Sequence, residues 1–394
     1  MRKSPGIIEV FPWLLVAGLL NGCGGGSSSS SMSPAPTPAS VIATVQVGID
    51  PSALDVNSVT NRIYVVNQGD QPATVSVIDG NTNSVVGTVP VGVSPYAVAV
   101  NSSTNKIYVS NSGEQSVTVI DGATNKTTTV NVGTRPFGLA VNPSTNKIYV
   151  ANYGGQSVTV IDGATNTTTT VAAGLGPLFV AVNSVSNKVY VTNNQELSGT
   201  VTVIDGSTNQ TQTVGVGLNP EGIAVNSVAN IVYVSGGSHG DYWVAVIDGA
   251  TLSLSLADQN NPAGAILGGP AVNPTTNKIY VPHQQGSVAV IDGKTLGVTS
   301  VPSGQAPQWV AVDAMNNQVY VVNGYSSPMP GTTVTVIDGA INTTTTLQVG
   351  VNPAQAVVNS ATHRVYVTNS CGNSMSCANG TPAQGTVSVI EAAR

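Results

Sequence analysis

The residues best suited to chemistry in this sequence are two histidines and the residues beside the first of them. His239 and Asp241 lie in the segment GGSHGDYW, where they could ligate a metal ion or share a proton. Tyr242 and Trp243 follow, and their rings could stack on a sugar or a peptide. His283 occupies the matching loop of the next repeating unit. A zinc site needs three or four convergent ligands and the chain has three histidines. We therefore expect no metal and no cofactor, and surface polar residues without chemistry are the alternative.

A second group of candidates surrounds a recurring Gly-x-x-Pro pattern. The residue after the proline differs from one occurrence to the next, and loops that vary on a repeating scaffold often carry function. The candidates in this group are Tyr96, Arg135, Phe137, Glu221, Gln308 and Trp309. They could line a small pocket of mixed polarity at the mouth of a central channel. The alternative is that these side chains only fill the channel.

Two cysteines close to each other suggest a staple rather than a catalytic pair. Cys371 and Cys377 flank the insertion CGNSMSC. In an exported protein, a nearby pair usually forms a disulfide. A redox pair is less favoured because the C-x-x-C spacing is missing. We predict a disulfide between Cys371 and Cys377.

The sequence favours a non-catalytic role, although it leaves an enzymatic one open. Neither a zinc-binding H-E-x-x-H motif nor a phosphate-binding Gly-rich motif occurs. An aspartate recurs in Ile-Asp-Gly, but calcium sites need six or more oxygens gathered together, and these acids occur once per repeat. We expect them to accept hydrogen bonds in turns, and we assign no catalytic residue.

Composition limits both the fold and the partners. Only 8% of the residues are charged, whereas Val, Thr, Ser, Asn and Gly abound. β-Branched residues favour strands, and Gly and Asn favour the turns between them, so we expect an all-β protein. The formal net charge is −6, with 12 Lys and Arg in total. Nucleic acid is therefore not an expected partner, because its binding depends on clustered cations.

The N-terminal segment is typical of an export signal. Arg2 and Lys3 precede a mostly apolar stretch at residues 10–20, which has the length of a signal-peptide core and is too short for a transmembrane helix. The tetrapeptide Leu-Asn-Gly-Cys that ends at Cys23 resembles the bacterial lipobox, and this resemblance implies a signal peptide over residues 1–22 and lipidation of Cys23. An ordinary secretion signal is the alternative.

Residues 23–40 are rich in Gly, Ser and Pro, a composition typical of flexible or extended linkers that bury no core. We expect them to act as a lipid-anchored tether. The protein is then an extracytoplasmic, membrane-anchored lipoprotein that faces the periplasm or the cell surface, and its only membrane contact is the lipid anchor.

From residue 41 onward the chain repeats a unit of a little over forty residues, as repeat architectures do. One tyrosine recurs at Tyr64, Tyr108, Tyr149, Tyr190, Tyr233, Tyr280, Tyr320 and Tyr366. The turn acid recurs at Asp79, Asp121, Asp162, Asp205, Asp248, Asp292, Asp338 and Glu391. Each unit predicts four short strands, here named A to D from the inside outward, joined by Asn-rich and Asp-Gly turns.

The two ends of the repeat region complement each other. Residues 387–391 form a C strand that no D strand follows, whereas residues 41–51 match residues 343–353, a D strand that leads into the next A strand. Pairing the two ends closes a ring and removes exposed sheet edges. We predict a closed β-propeller over residues 41–394, with eight four-stranded blades and the N-terminal strand in the last blade. Seven blades are the alternative.

One tetrapeptide connects this repeat with a known family. Tyr-Val-Thr-Asn occurs at 190–193 and 366–369, and variants with Ser or Ala in the third place occur at 108–111 and 149–152. These segments resemble the YVTN family of β-propeller repeats, which is found in cell-surface and surface-layer-like proteins of bacteria and archaea. The resemblance covers 41–394. The fifth and sixth units depart from it, and familiar members often have seven blades, so the count of eight comes from this chain.

Taken together, these features predict a non-catalytic, monomeric propeller that acts as a protein or glycan interaction or scaffold module at the cell envelope. A propeller hydrolase resembling the lactonases is one alternative, and it requires acids, His and Arg to converge in the channel mouth. The other alternative, a scaffold subunit of an envelope electron-transfer complex, rests on fold analogy.

Overall fold

The computed structural model describes residues 37–194, 199–238, 241–259, 269–325, 330–374 and 383–393. These residues form eight antiparallel sheets of four strands each, arranged as the blades of a closed β-propeller. The prediction of an all-β propeller with eight blades is confirmed. Among the described residues, no helix is long and apolar enough to span a bilayer.

Blades 1 to 4 each use four consecutive strands. These are β2 (Pro51–Asn57), β3 (Arg62–Asn67), β4 (Thr74–Asp79) and β5 (Ser84–Pro90); β6 (Pro95–Asn101), β7 (Lys106–Asn111), β8 (Ser116–Asp121) and β9 (Thr127–Asn131); β10 (Pro136–Asn142), β11 (Lys147–Asn152), β12 (Ser157–Asp162) and β13 (Thr168–Ala172); β14 (Pro177–Asn183), β15 (Lys188–Asn193), β16 (Thr200–Asp205) and β17 (Thr211–Gly215).

Blades 5 to 7 follow the same order, and blade 8 takes its outer strand from the N-terminus. These strands are β18 (Pro220–Asn226), β19 (Ile231–Ser238), β20 (Asp241–Asp248) and β21 (Leu254–Gln259); β22 (Ala271–Asn273), β23 (Lys278–His283), β24 (Ser287–Asp292) and β25 (Val298–Pro302); β26 (Pro307–Asp313), β27 (Gln318–Tyr325), β28 (Pro330–Asp338) and β29 (Thr344–Gln348); β30 (Pro353–Val358), β31 (Arg364–Asn369), β32 (Gln384–Glu391) and β1 (Ser40–Ile49).

The N-terminal strand closes the ring as predicted. β1 pairs with β32 in an antiparallel register that sets Val45 opposite Val387 and Thr44 opposite Ser388. Val45 is buried in the core between blades 8 and 1, whereas Thr44 is exposed. The last blade is thereby completed by the first strand of the chain, and the outer edge of β32 is paired instead of open to solvent.

The core lies between the blades. In blade 2, Ile107, Tyr108 and Val109 on strand B are fully buried, because strands B and C are covered on both faces by neighbouring blades. Strand D is different, since Thr127, Thr128 and Thr129 are exposed. In this blade, strands B and C are therefore buried, strand A at the channel is half-buried, and the outer strand D is mostly exposed.

The recurring tyrosine joins each blade to the next one. Tyr64 of blade 1 packs with Ile107 and Val109 of blade 2, and Tyr108 packs with Ile148 and Val150 of blade 3. At the closure, Tyr366 of blade 8 packs in the same way against blade 1. All eight of these tyrosines are fully buried. A single blade therefore has no core of its own and depends on its neighbours.

A ring of side-chain hydrogen bonds reinforces these contacts at the end of the channel where the A-to-B turns lie. In every blade except blade 7, an asparagine at the end of strand A donates through Nδ2 to Oδ1 of the turn asparagine in the next blade. Seven such Asn–Asn bonds, each 2.7 or 2.8 Å long, join Asn57 to Asn105, Asn101 to Asn146, Asn142 to Asn187, Asn183 to Asn230, Asn226 to Asn277, Asn273 to Asn317 and Asn359 to Asn61. The last of them spans the closure of the ring.

Between blades 7 and 8, both partners of this bond are replaced together. Asp313 and His363 occupy the two asparagine positions, and Asp313 Oδ2 lies 3.0 Å from His363 Nδ1. Asp313 is 3% exposed and also accepts a hydrogen bond from Asn316 Nδ2 at 2.9 Å. Because Asp313 and His363 also form a hydrogen-bonded pair, the ring of interblade hydrogen bonds continues between blades 7 and 8.

We expect Asp313→Ala to destabilise the propeller by about 1–3 kcal/mol, the usual cost of leaving buried polar partners unsatisfied. Asn142→Ala, at the equivalent position of blade 3, should cost a similar amount. The double variant Asp313→Asn/His363→Asn rebuilds the bond used by the other blades and should unfold close to the wild type. Urea unfolding of the full chain at pH 7 measures all three, and a double variant as unstable as Asp313→Ala would contradict the equivalence of the two bonds.

Candidate functional site: the mouth of the central channel

The opposite end of the channel is built by the D-to-A and B-to-C loops. In seven D-to-A loops, all except the largely undescribed loop into blade 6, the residue before the proline has a left-handed backbone, with φ of 50° at Ser94 and 51° at Arg135. Each of these seven loops is bonded to the B-to-C loop of the blade that it enters, as in Tyr153 N to Arg135 O at 3.0 Å and Ser112 N to Ser94 O at 2.9 Å. These bonds fix a left-handed conformation that is costly for residues other than glycine, and they define the rim of the mouth.

Behind this rim lies a cavity of about 480 Å³, lined by the inner segment of every blade. Seven of the lining side chains are aromatic or carry an amide or hydroxyl group: Ser52, Gln68, Tyr96, Phe179, Gln308, Trp309 and Gln355. The remaining lining residues are Ala, Val, Leu, Ile, Gly and Pro. Among the described residues, this lining contains no formally charged side chain.

An aromatic row occupies the rim over blades 2 and 3. The ring of Phe137 lies 4.4 Å from that of Tyr96 and 5.0 Å from that of Tyr153, measured between centroids, with interplanar angles of 47° and 39°. The Arg135 guanidinium carbon lies 5.7 Å from the Phe137 centroid and 5.3 Å from the Tyr153 centroid. Cation–π attraction at these distances holds Arg135 on the aromatic row.

Glu221 of blade 5 is the acid predicted for the mouth, and Asp50 is a second acid in the D-to-A loop that enters blade 1. Burial raises the pKa of the Glu221 carboxyl group above the ordinary value, as desolvation does to any carboxylate. Burial also raises the pKa of Tyr96, and the negative charge of Glu221 adds a smaller contribution in the same direction. Side chains of blades 2 and 5, which are far apart in sequence, therefore interact electrostatically at one mouth.

Further down the channel, side chains of one blade bond to the free edge of the next inner strand. Gln355 Oε1 accepts from Leu54 N at 2.8 Å, and Asp55 Oδ2 accepts from Val100 N at 2.7 Å. Burial raises the pKa of Asp55 to about 6, against the lowering effect of hydrogen bonds from the Val56 and Val100 amides. Asp55 is thus an acid that belongs to the wall of the channel.

The structure brings together most of the predicted mouth residues and separates others from them. Tyr96, Gln308 and Trp309 line the cavity, and Arg135 and Phe137 form the rim next to it. Glu221 joins them through its effect on Tyr96. Tyr242, Trp243 and His283, which the structure describes, do not line this cavity.

His283 has a different environment from the exposed loop predicted for it. It is the last residue of β23 and is 2% exposed, with Nε2 3.6 Å from Asp258 Oδ2. Burial lowers its pKa, and the charge of Asp258 opposes that shift. It occupies the position of Asn111, whose Nδ2 donates to Ser116 and Thr118 on the neighbouring strand. His283 therefore replaces a structural asparagine.

Tyr242 and Trp243 lie on β20, not in the predicted loop. Trp243 stands opposite Gly236 in the ladder and packs against the core between blades 4 and 5. A Cβ atom on Gly236 would lie 2.5 Å from Trp243 Cζ2, so the glycine makes room for the indole. Tyr242 packs against the core between blades 5 and 6. Both rings contribute to interblade packing.

The remaining predictions fall at the borders of the described residues. His239 and Cys23 lie outside them, as does Cys377, and only the backbone position of Asp241, at the start of β20, is described. Cys371 is disulfide-bonded, and its pairing with Cys377 stays a prediction. Within the described part of the chain, no group of three His, Cys, Asp or Glu side chains is placed to hold a metal ion.

The segment GGSHG in the fifth blade matches the letters of the G-x-S-x-G motif of esterases. That motif acts only as a sharp turn from a strand into a helix. Here β19 ends at Ser238 and β20 begins at Asp241, so two antiparallel strands flank the segment. The local structure therefore gives no support to a nucleophile elbow.

Sequence analysis missed Phe179, Tyr153, Gln355 and Asp55. Phe179 was detectable, because the equivalent position holds a small residue in four of the other blades: Ala53, Ala97, Gly138 and Gly222. A Cβ on Gly138 would lie 2.5 Å from Leu178 O, so the close approach of blades 3 and 4 excludes a side chain at position 138. Phe179, at the equivalent position of blade 4, lines the cavity. Tyr153 gave a weaker signal, as a lone aromatic residue in a variable loop.

The sequence matches no protein-family model and no curated protein. Its fold is similar to that of a chain of hydrazine synthase from Kuenenia stuttgartiensis, with a TM-score of 0.59 and 18% identity over 77% of this chain and 96% of that chain. It is also similar to the β-propeller domain of Cps50 (Swd1) from Myceliophteria thermophila, with a TM-score of 0.58 and 10% identity over 90% of this chain and 99% of that domain. At these identities the likeness shows the propeller fold alone.

The raised pKa of Asp55 predicts a specific dependence of stability on pH. Because the folded-state pKa of about 6 exceeds the ordinary 3.8, the contribution of Asp55 to stability is fully present below pH 4 and is lost as the pH rises through 6. Asp55→Ala introduces the residue found at this position in blade 2, Ala99, and removes the titration.

Thermal unfolding of the full chain and of Asp55→Ala between pH 4 and pH 8 checks this. Relative to the variant, the wild type should lose stability between pH 4 and pH 7 and change little above that range. Other acids titrate in both proteins and cancel in the difference. A difference that is constant with pH would show that the carboxyl group of Asp55 keeps its ordinary pKa.

Proposed function

We propose that this chain is an exported, lipid-anchored propeller of the YVTN type that acts without catalysis, binding a protein or a glycan of the cell envelope at its channel mouth. The propeller is the scaffold, and the D-to-A and B-to-C loops are the recognition surface. The export and anchoring part of the proposal rests on the signal-like segment and on Cys23.

The observation that carries the binding role is the nature of the mouth. It combines a cavity of about 480 Å³, within the range of about 300–1,000 Å³ typical of ligand pockets, with an aromatic row whose members are 4.4 and 5.0 Å apart. The fold does not need aromatic residues there, since Ser52 and Ala354 occupy the position of Tyr96 in blades 1 and 8. The aromatic residues of the mouth are therefore not required by the fold, and this supports a role for them in binding a ligand.

The hydrolase alternative has less support from the geometry. It requires an acid, a histidine and an arginine to converge, whereas His283 lies beside Asp258 and does not line the cavity. Arg135 is held against Phe137 and Tyr153. Among the described residues predicted for the mouth, Glu221 is therefore the single acid, and His283 does not converge with it at the cavity.

Anchoring is tested by Cys23→Ala in the full chain. If Cys23 is lipidated, the wild-type protein should sediment with membranes and the variant should be released, because the acyl chains supply the membrane affinity. Mass spectrometry of the N-terminal peptide should show an acylated cysteine in the wild type. A variant that stays with membranes, or a mature N-terminus elsewhere, would contradict the anchor.

Recognition at the mouth is tested by placing a photo-crosslinking residue at Ser94, which is exposed on the rim, in the full chain in intact cells. We expect a discrete adduct that weakens when Phe137→Ala is added. The same probe at Thr128, exposed on the outer strand of the same blade, is the matched control. Equal adducts from both positions, or none from Ser94, would refute binding at the mouth.

A further inference from the structure

The aromatic residues of the propeller are divided between two uses. Eight tyrosines, one per blade, are buried between the blades and are used by the fold. Both phenylalanines among the described residues, Phe137 and Phe179, lie at the channel mouth, together with Tyr96, Tyr153 and Trp309. None of these five positions is aromatic in every blade, so the repeat does not require an aromatic residue there.

The cavity offers aromatic faces and amides, and no charge among its described lining residues. Tyr96, Phe179 and Trp309 come from blades 2, 4 and 7, whereas Gln68, Gln308 and Gln355 come from blades 1, 7 and 8. An amide group is both donor and acceptor, as a sugar hydroxyl is. The flat, rigid face of an aromatic ring packs well against the apolar C–H groups on one face of a pyranose ring. This combination suits a carbohydrate.

The amide of Gln355 is already held in place. Its Oε1 accepts from Leu54 N at 2.8 Å, which fixes the plane of the amide and turns its nitrogen donor away from that bond. A group held before the ligand arrives loses little side-chain entropy on binding. The wall of the cavity is thus organised for hydrogen bonding in advance.

The charges of the mouth disfavour an ionic ligand. Arg135 is stacked on Phe137 and Tyr153, and neither it nor Glu221 lines the cavity. Burying a ligand carboxylate or ammonium group against uncharged walls would cost free energy with no compensating partner. Hydroxyl groups carry no such cost when they meet amides and backbone groups.

We propose that the channel-mouth cavity binds a short neutral saccharide, such as the end of a glycan chain. Tyr96, Phe179 and Trp309 contact the faces of the sugar rings, and Gln68, Gln308 and Gln355 bond to their hydroxyl groups. This assignment rests on the proposed binding role of the mouth and specifies its ligand class.

The full chain carries its own reporter for this test. In a Trp13→Phe/Trp243→Phe variant, Trp309 is the remaining tryptophan, and its indole lines the cavity. Titration with neutral tetrasaccharides built from glucose, N-acetylglucosamine, mannose or galactose should change its emission in a saturable way for at least one of the four. Tetragalacturonate and a Pro-rich peptide, which represent an acidic glycan and a protein segment, should not.

Two substitutions locate the site, and each introduces a residue that this fold already holds at the same strand position. Tyr96→Ser, which copies Ser52, should weaken saccharide binding about tenfold through loss of one stacking partner. Gln308→Ala, which copies Ala354, should weaken it several-fold. Leu178→Ala is the matched control, because Leu178 occupies the same position in blade 4 but does not line the cavity, and it should bind as the parent does.

Each outcome decides the inference. Failure of all four neutral saccharides overturns it, as does equal binding by Tyr96→Ser and Leu178→Ala. Binding of tetragalacturonate or of the peptide alone replaces the ligand class while the proposed recognition role stands. The cross-linking from Ser94 separates the two levels, because a rim adduct without saccharide binding rejects the saccharide and keeps the mouth as a recognition surface.

Discussion

The structure depends on contact between neighbouring blades. A blade of four strands has hydrophobic residues on both faces of its B and C strands, and it buries its recurring tyrosine only against the next blade. The Asn–Asn bonds at the far end of the channel follow the same rule, since each joins two blades. Because every blade needs two neighbours, an open row would leave its terminal blades uncovered. Closure through β1 and β32 is therefore a condition of stability.

The same constraint explains why the departures from the repeat occur in matched sets. Asp313 is accompanied by His363 on the next blade, so that a bond is kept. Gly236 stands opposite Trp243 on the adjacent strand, and the space left by the missing side chain of the glycine is filled by the indole. In a close-packed ring, each residue contacts partners that are distant in sequence and that have little room to move. A different residue therefore fits where its contact partner is also different. His283 takes the place of Asn111, and Ala289 takes the place of Thr118, which accepts a hydrogen bond from Asn111.

The sequence repeat made the fold predictable, but it gave little information about which residues line the channel-mouth cavity. The four strands of each unit, the count of eight and the closure by residues 41–51 follow from self-similarity, which needs no knowledge of distant contacts. The cavity is different, because it gathers single residues such as Tyr96, Phe179 and Trp309 from blades that are far apart in the chain. His283 was misplaced because its side-chain chemistry suggested function, whereas its register places it at a buried structural position. Phe179 was missed because it lies in an apolar strand, and only comparison with Gly138 and Gly222 shows that it is unusual there.

The residues that stabilise the fold and the residues that line the channel mouth are largely different, and this difference has a physical cause. Recurring residues supply most of the interblade contacts. At the channel mouth, where the inner strands leave space, side chains that do not recur are not needed for those contacts. The inner edge of each A strand has no further strand to pair with, and side chains such as Gln355 and Asp55 satisfy part of it. The backbone groups that remain, together with the amides, make the wall of the cavity polar, although none of the described residues that line the cavity carries a formal charge. Aromatic rings set into such a wall create the mixed apolar and hydrogen-bonding surface that a neutral polyhydroxylated ligand requires, and this is why the mouth, and not the Thr-rich outer strands, is the place to look for recognition.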